Sequence, residues 1–311
     1  MADNVVPELT KENVQALIDV ISPASVVTAI HSLPGSFSNY THLVELRTSD
    51  NIIERIVVRR YAIFHDYDLG EKAIREFRTY QLLEEHAFPA PRPLYLDQDG
   101  QYLGIPGIVT TYAPGKLILS PPEPLLWAQA LARTLARIHS IPCHPGTQSF
   151  LLDANSEATW FIRPLESPAY MKAHPQGERV RQLAAEMFPR LQPVQPGLVH
   201  IDYWPGNILW LQNRISAVVD WEEASFGDPA IDLGYCRMNM ALNGLTDAAD
   251  EFIATYESET GGEAPNLAFW ELAASARPMI DPSGWEIDKP PGRERFRQFI
   301  ESAIHRLSIY E

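Results

Sequence analysis

Apolar side chains recur along this chain at two spacings, one typical of helices and one typical of strands. Near the start, four of them lie at i, i+3, i+4 and i+7: Val14, Leu17, Ile18 and Ile21. This spacing places them on one helical face and predicts an amphipathic helix over residues 11 to 21. Thr10 directly precedes that helix and can accept a hydrogen bond from its first turn, as an N-cap.

A strand-rich section follows this helix. The segment RIVVRRY concentrates β-branched residues and leads into Arg59, which is typical of a strand. Farther along, GIPGIVTTYAPGKL predicts one more strand, which Pro114 and Gly115 terminate. We therefore expect an N-terminal region over residues 1–113 and a second region over residues 114–311.

Between these strands, EKAIREFRTYQLLEEH predicts a helix that carries a charge on its apolar face. The apolar positions are Ala73, Tyr80 and Leu83. They lie at −3, +4 and +7 from Glu76, so the Glu76 carboxylate shares their face. A charge in that position needs a partner. Arg59 is the predicted partner, and Lys72, one turn earlier on the same helix, is the alternative.

The second region is mainly helical in its pattern. A strong apolar stripe consists of Ala128, Leu131, Leu135 and Ile138. His139 ends that stripe and is expected to be structural. Four aromatic residues are either core residues or an aromatic cage for an amine: Trp160, Phe161, Trp270 and Trp285. Helical segments over 145–195 and 235–311, broken by Pro and Gly, are expected to shape a substrate site.

A hairpin is predicted near residue 210. Two apolar runs, 208–211 and 215–219, flank the polar turn Gln-Asn-Arg. Asn207 directly precedes the first run and Asp220 follows the second. Because antiparallel strands return to the same end, Asn207 and Asp220 are expected to lie close enough to share a metal ion.

Asp202 lies five positions before Asn207, in a loop marked by Pro205 and Gly206. Transfer of a γ-phosphoryl group needs a carboxylate that holds the acceptor hydroxyl and Mg²⁺ that bridges the phosphate oxygens. Mg²⁺ takes carboxylate and amide oxygens. The three residues therefore suit phosphoryl transfer, although Asp and Asn are also ordinary loop residues.

Composition narrows the class of protein. With 45% hydrophobic and 21% charged residues, the 311-residue chain is of the folded type and near the size at which one core gives way to two. A formal net charge of −15 argues against a nucleic-acid partner and favours a cationic acceptor, although acidic surfaces mostly serve solubility. The chain contains no uninterrupted apolar run of about 18 residues, so no membrane span is predicted. Two cysteines and a polar start predict a cytoplasmic protein with free thiols.

The segments HIDYWPGN and DWEEASFGDPAIDL resemble the H-x-D-x-x-x-x-N and D-x-E, G-D-P-x-x-D-L signatures of the aminoglycoside phosphotransferase and choline kinase-like family. The resemblance implies an α+β, two-lobed protein kinase-like fold, with an antiparallel sheet in the N-lobe and a mainly helical C-lobe. It implies Asp202 as catalytic base, Asn207 and Asp220 as Mg²⁺ ligands, and a structural His200. The family often has Gly where this chain has Ile201.

The same resemblance implies an ATP site in the N-terminal region. Its candidate residues are the small-residue loop Gly35, Ser36, Ser38 and Asn39, the basic Arg59 with its partner Glu76, and the linker Thr111, Tyr112 and Ala113. A loop of small residues lets backbone N–H groups approach phosphates, although a hairpin turn has the same composition. Arg59 stands where protein kinases use Lys, and a guanidinium suits phosphate contact.

The expected activity is ATP- and Mg²⁺-dependent phosphorylation of a small-molecule hydroxyl. An aminoglycoside is the first candidate acceptor, which would make the protein an antibiotic-resistance enzyme; a macrolide, a choline-like alcohol, a sugar or an amino alcohol is the alternative. A metal-dependent hydrolase would use the same three polar residues but leaves Arg59 and Glu76 unexplained. A catalytically silent nucleotide-binding protein is the remaining alternative, although such proteins usually lose one of those three residues.

Overall fold

The computed structural model describes residues 7–33, 39–61 and 68–309. The chain divides into two compact units. The first unit comprises Met1–Lys116 and Leu209–Glu223, and the second comprises Leu117–Ile208 and Ala224–Glu311. An antiparallel sheet with helices in the first unit and a mainly helical second unit confirm the predicted α+β architecture.

The helices, in chain order, are α1 Lys11–Ile21, α2 Leu69–Glu85, α3 Pro124–His139, α4 Pro145–Gln148, α5 Ala154–Ala158, α6 Ala169–Ala173, α7 Gly177–Met187, α8 Ala230–Leu242, α9 Thr246–Thr260, α10 Leu267–Ala274 and α11 Gly292–Ile309. The strands are β1 Val26–Leu33, β2 Asn39–Arg47, β3 Ile53–Tyr61, β4 Pro93–Asp97, β5 Gly107–Thr111, β6 Leu152–Asp153, β7 Gly197–Val199, β8 Ile208–Leu211, β9 Arg214–Val218 and β10 Ser225–Gly227.

The first unit is built on a five-stranded sheet in the order β1-β2-β3-β5-β4. Each neighbouring pair in it is antiparallel. Helix α1 covers the sheet with the apolar face predicted from its spacing, since Val14, Leu17 and Ile18 are fully buried against strand residues such as Val44. Thr10 caps this helix by accepting a hydrogen bond from the Asn13 backbone N–H. Local sequence therefore determines how α1 starts and which face it buries.

The hairpin of β8 and β9 forms as predicted, and it belongs to the first unit rather than to the second. Backbone hydrogen bonds explain this grouping. Lys116 and Trp210 exchange two of them, each 2.9 Å long, and the Val218 N–H donates to the Pro89 carbonyl at 2.9 Å. The boundary predicted at residue 113 rests on Pro and Gly signals alone. It separates the hairpin from its partner Pro89, which lies more than a hundred residues earlier in the chain.

The second unit is helical apart from one small sheet in the order β6-β10-β7. Its central helix is α8, which contacts α9, α10 and α11. Asp228 fixes the turn that leads into α8: its carboxylate accepts hydrogen bonds from the Ala230 N–H at 2.9 Å and from Asn266 Nδ2 and Trp270 Nε1 at 2.7 Å. This turn therefore joins two helices that are distant in sequence.

No helix within residues 7–33, 39–61 and 68–309 has both the length and the apolar character that crossing a bilayer requires.

Asp97 offers a direct test of how the first unit is stabilised. It is 3% exposed, and its carboxylate accepts the backbone N–H groups of Gln101 at 2.8 Å, Tyr102 at 2.9 Å and Leu103 at 2.7 Å. Asp97→Ala leaves these donors without a charged acceptor, so the free energy of unfolding should fall by about 2 to 3 kcal/mol. Urea unfolding followed by circular dichroism measures the change. The exposed Asp99→Ala is the control, and an equal loss in both variants would contradict this role of Asp97.

Candidate active site

A fully buried carboxylate organises the polar part of the first unit. Glu76 on α2 is 0% exposed, and Arg59 on β3 approaches it with Nε 3.1 Å from Oε2. Three further donors reach the same carboxylate: the Tyr61 hydroxyl, the Tyr80 hydroxyl at 3.1 Å and the Trp221 backbone N–H at 3.2 Å. Burial raises the pKa of Glu76, and Arg59 opposes that rise. The pair of Arg59 and Glu76 expected from the helical spacing is therefore present.

Arg59 connects this buried pair to the segment that follows the hairpin. Its Nη2 donates to Asp220 and, at 2.9 Å, to Glu222. Glu222 also accepts from Lys72 Nζ at 3.1 Å and from Asn39 Nδ2. Although burial raises the pKa of Glu222, the charges of Arg59 and Lys72 lower it to about 2. Lys72, the alternative partner of Glu76, thus pairs with Glu222.

A cavity of about 240 Å³ in the first unit brings five of the predicted nucleotide residues together. Its lining includes Arg59, Glu76, Thr111, Tyr112 and Ala113. The cavity is therefore apolar where the sheet and hairpin contribute and charged where Arg59 and Glu76 lie.

The predicted phosphate loop is described only at its end. Gly35, Ser36 and Ser38 lie outside the described residues. Asn39 is the first residue of β2, is 8% exposed, and points its amide at Glu222. Its side chain therefore positions an acidic group rather than forming part of a turn.

In the second unit, the loop from Asp202 to Asn207 is held by the Asn207 amide. Asn207 Nδ2 donates to the Asp202 carboxylate at 2.8 Å and to the Asp202 backbone carbonyl at 2.9 Å. Both hydrogens of the amide are used in this way, which directs Asn207 Oδ1 away from Asp202. The structure therefore places the predicted base and one predicted metal ligand side by side.

Asp232 holds the start of this loop in a conformation that few side chains adopt. Ile201 has a φ of 70°, a left-handed value that is rare for a β-branched residue. The buried Asp232 carboxylate accepts the backbone N–H groups of His200 and Ile201, both at 2.8 Å, and lies 3.1 Å from His139 Nε2. The positive φ explains why the family often has Gly at this position. His139 also contacts the Tyr256 hydroxyl, and His200 is fully buried.

Arg277 was not found from the sequence, because an isolated Arg after α10 carries no pattern. Its Nη1 lies 3.2 Å from Asp202 Oδ1, and its guanidinium lies 4.7 Å from the centre of the Tyr235 ring. The Tyr235 hydroxyl also bonds Asp202, and burial together with that carboxylate raises its pKa. Asp202 thus has a cation and a neutral phenol beside it.

The four aromatic residues considered for an amine cage are divided between the core and a small pocket. Phe161 and Trp270 are each 1% exposed. Trp160 and Trp270 line a pocket that also includes Arg277 and Tyr235. Trp285 packs edge-on against Tyr235, with the ring centres 6.3 Å apart. The wall of this pocket is aromatic, but the charged lining residue beside Asp202 is the cation Arg277.

The charge balance at Glu222 predicts a pH dependence of stability. Its pKa falls from 4.5 to about 2 in the folded chain. A carboxyl with a lowered pKa stabilises the fold fully above the unfolded value, and this contribution is lost as the pH falls from 4.5 towards 2. Glu222→Gln should therefore lower the free energy of unfolding at pH 7 by on the order of 3 kcal/mol.

The difference between Glu222→Gln and wild type should shrink steadily between pH 5 and pH 3. Urea unfolding at a series of pH values measures it. The exposed Glu85→Gln is the control and should show no such trend, whereas a difference for Glu222→Gln that stays constant with pH would contradict the role of this ion-pair network.

Comparisons with known proteins identify the fold and the family of the chain. A crystal structure of a putative aminoglycoside phosphotransferase from Ralstonia eutropha matches 95% of this chain and 96% of its own, with a TM-score of 0.61 and 18% identity. A thermostable mutant of an aminoglycoside phosphotransferase, in ternary complex with AMP-PNP and hygromycin B, matches 93% of this chain and 97% of its own, with a TM-score of 0.62 and 16% identity. At these identities the likeness establishes the kinase-like fold.

Among curated proteins, the acyl-CoA dehydrogenase family member 10 of Mus musculus is 29% identical over 178 residues. The match covers 52% of this chain but 16% of that protein, so the chain corresponds to a minor part of its relative.

The family model described as the phosphotransferase enzyme family matches residues 29–270. That range contains Arg59, Glu76, the Asp202 loop and Asp220, whose contacts are described above. The chain therefore belongs to the phosphotransferase enzyme family, as its two motifs predict.

Proposed function

We propose that the protein transfers the γ-phosphoryl group of Mg-ATP to a hydroxyl of a small molecule, with Asp202 as the catalytic base. The observation that carries this proposal is the hydrogen bond of 2.8 Å from Asn207 Nδ2 to the Asp202 carboxylate. It holds one carboxylate oxygen in place and directs the amide oxygen of Asn207 away from Asp202, where it is available as a metal ligand. Positioning of this kind is the main protein contribution to phosphoryl transfer.

Nucleotide binding is assigned to the first unit. The cavity lined by Thr111, Tyr112 and Ala113 suits an adenine ring, because backbone groups of a strand end can bond its edge while apolar side chains cover its faces. Arg59 lies on the same cavity and is held by Glu76, so its guanidinium is positioned for the α- and β-phosphates. The phosphate loop of Gly35, Ser36 and Ser38 remains part of the proposal.

Asn207 and Asp220 fit Mg²⁺ chemically, since both offer hard oxygen ligands. Mg²⁺ usually takes one or two protein ligands together with substrate phosphates, so a small donor set is sufficient. When bound, the ion neutralises charge on the phosphate oxygens. Arg59 pairs with Asp220, so the guanidinium and a metal ion would share this carboxylate.

Asp202 performs the proton chemistry of the proposed step. The acceptor O–H bond breaks as a new O–P bond forms to the γ-phosphorus, and the bond from that phosphorus to the β,γ-bridging oxygen breaks. The hydroxyl proton passes to the Asp202 carboxylate, and the charge of the leaving group departs with ADP. The base must lie within hydrogen-bond distance of the acceptor, and its side chain is 27% exposed and therefore accessible.

The acceptor is proposed at the level of a class. An aminoglycoside is supported by the net charge of −15 and by the fold likeness to phosphotransferases of those antibiotics, and it would imply a role in resistance. A macrolide, a choline-like alcohol, a sugar or an amino alcohol is equally compatible with the Asp202 loop. A reducing, cytoplasmic location is proposed from the two free thiols.

A screen of these acceptors with Mg-ATP, monitored by ADP release, is the decisive experiment for the function. Turnover with one class should appear above the background hydrolysis of ATP. ATP binding by calorimetry, together with no acceptor-dependent ADP release across the whole panel, would favour a silent nucleotide-binding protein instead.

Asp202→Asn should lower kcat by about 10²- to 10⁴-fold, because the variant has no group to take the hydroxyl proton. Mg-ATP affinity should stay close to the wild-type value, which calorimetry can check in the same preparation. Full retention of turnover in Asp202→Asn would show that another group is the base.

Asn207→Ala and Asp220→Ala should each weaken Mg-ATP binding by about tenfold or more, since each removes an oxygen ligand. ATP binding in EDTA should be weak in the wild type and similar in both variants. Asp50→Ala, at an exposed turn, is the control. Unchanged Mg-ATP affinity in both variants would refute the metal assignment.

A further inference from the structure

The cation beside the catalytic base bears on the kind of acceptor. Arg277 Nη1 lies 3.2 Å from Asp202 Oδ1, and each side chain is 27% exposed. The other carboxylate oxygen, Oδ2, accepts from Asn207 at 2.8 Å. Both oxygens of the proposed base are therefore engaged in the structure, one by an amide and one by a guanidinium, and the Tyr235 hydroxyl bonds the same carboxylate.

We propose that the acceptor is a short hydroxycarboxylate, whose carboxylate binds Arg277 while its hydroxyl bonds Asp202; this assignment rests on the proposed phosphotransferase function. The charges of Arg277 and Asp202 explain the preference for an acceptor that carries a carboxylate. Asp202 must turn one oxygen to the acceptor hydroxyl before it can take the proton. A carboxylate on the acceptor replaces Asp202 Oδ1 as the partner of Arg277, so the guanidinium keeps an anion while the base is released.

Acceptors without a carboxylate cannot replace Asp202 as the anionic partner of Arg277. A neutral alcohol that takes Asp202 Oδ1 leaves the Arg277 guanidinium with a weaker partner in a partly buried site, which is unfavourable. A polycationic acceptor places like charges side by side. Arg277 is also a suitable anion receptor in form, since its planar fork offers bidentate hydrogen bonds to a carboxylate.

The surrounding pocket suits a small, partly apolar molecule. Arg277 and Tyr235 form its polar side, while Trp160, Ile231 and Trp270 form apolar walls. The pocket has a volume of about 20 Å³, which is enough for one water-sized group, so only a small end group of an acceptor can enter it. Glu157, an acidic residue of the lining, lies 3.8 Å from Arg163, which offsets its charge.

Distances set the length of the acceptor. A hydroxyl within about 3 Å of Asp202 and a carboxylate within about 3 Å of Arg277 can be only a few bonds apart, because the two protein groups are themselves in contact. In the reaction, the hydroxyl proton passes to Asp202, the γ-phosphoryl group passes to the acceptor oxygen, and the carboxylate stays bound to Arg277 unchanged.

Two matched sets of alcohols test the charge preference. The first set is 3-hydroxybutyrate, 1,3-butanediol and 4-amino-2-butanol; the second is 6-hydroxyhexanoate, 1,6-hexanediol and 6-amino-1-hexanol. Each set keeps one hydroxyl constant and changes the far group from anionic to neutral to cationic. We expect kcat/KM, measured by ADP release with Mg-ATP, to be at least tenfold higher for the carboxylate than for the diol in the shorter set, and lowest for the amine.

Arg277→Met should remove this preference. It should lower kcat/KM for 3-hydroxybutyrate by about 10- to 100-fold, mostly through KM, since a charge-assisted hydrogen bond to the acceptor is lost. The ratio of carboxylate to diol should fall to within about threefold. Arg277→Lys keeps the charge without the fork and should be intermediate. Arg297→Met, at an exposed position on α11, is the matched control and should keep the wild-type ratio.

The outcomes separate this inference from the proposed function. Turnover of an aminoglycoside or a diol that depends on Asp202, with no preference for carboxylates, would overturn the inference and leave the kinase function intact. Calorimetry with 3-hydroxybutyrate adds a readout independent of turnover. Binding that Arg277→Met abolishes, with no phosphoryl transfer to any acceptor, would support the site and refute the kinase function. No binding and no turnover of any carboxylate would overturn the inference.

Discussion

The burial of carboxylates is the constraint on which both units depend. An ionised carboxylate placed away from water needs several hydrogen-bond donors, because otherwise its desolvation would cost more than the fold can offset. Glu76 meets this requirement with Arg59, two tyrosine hydroxyls and one backbone N–H. These donors come from β3, α2 and the segment after β9. Satisfying one buried charge therefore brings together three separate parts of the first unit.

The second unit also contains a buried carboxylate with several hydrogen-bond donors, and this carboxylate holds a loop. Asp232 is fully buried on α8, and its donors are two backbone N–H groups of the loop that carries the proposed base, together with His139 at the end of α3. The carboxylate thereby stabilises Ile201 in a left-handed conformation that a β-branched residue would otherwise avoid. Strain at this loop and burial of Asp232 are thus linked, and together they set the position of Asp202.

Periodicity and end signals in the sequence were sufficient for most single elements. Helix α1 and its cap, the buried face of α2, and the hairpin of β8 and β9 all follow from spacings within fewer than twenty residues. The pair of Arg59 and Glu76 was also predictable, because the kinase pattern implies a basic residue on this strand that pairs with a helix Glu, and the helical spacing selects Glu76. The placement of the hairpin in the first unit was not, because its partners Pro89 and Lys116 are distant in sequence.

By itself, the sequence determined the local elements, the two polar motifs and the family they identify. These depend on interactions between residues close in the chain, or on residue types that phosphoryl transfer requires. Only the tertiary structure decided that Lys72 and Asn39 bind Glu222, that Asp232 holds the loop, and that Arg277 lies against Asp202. Each of these joins segments between about 30 and 185 residues apart, where no spacing rule applies. Burial, rather than pattern, selects the partner for such charges.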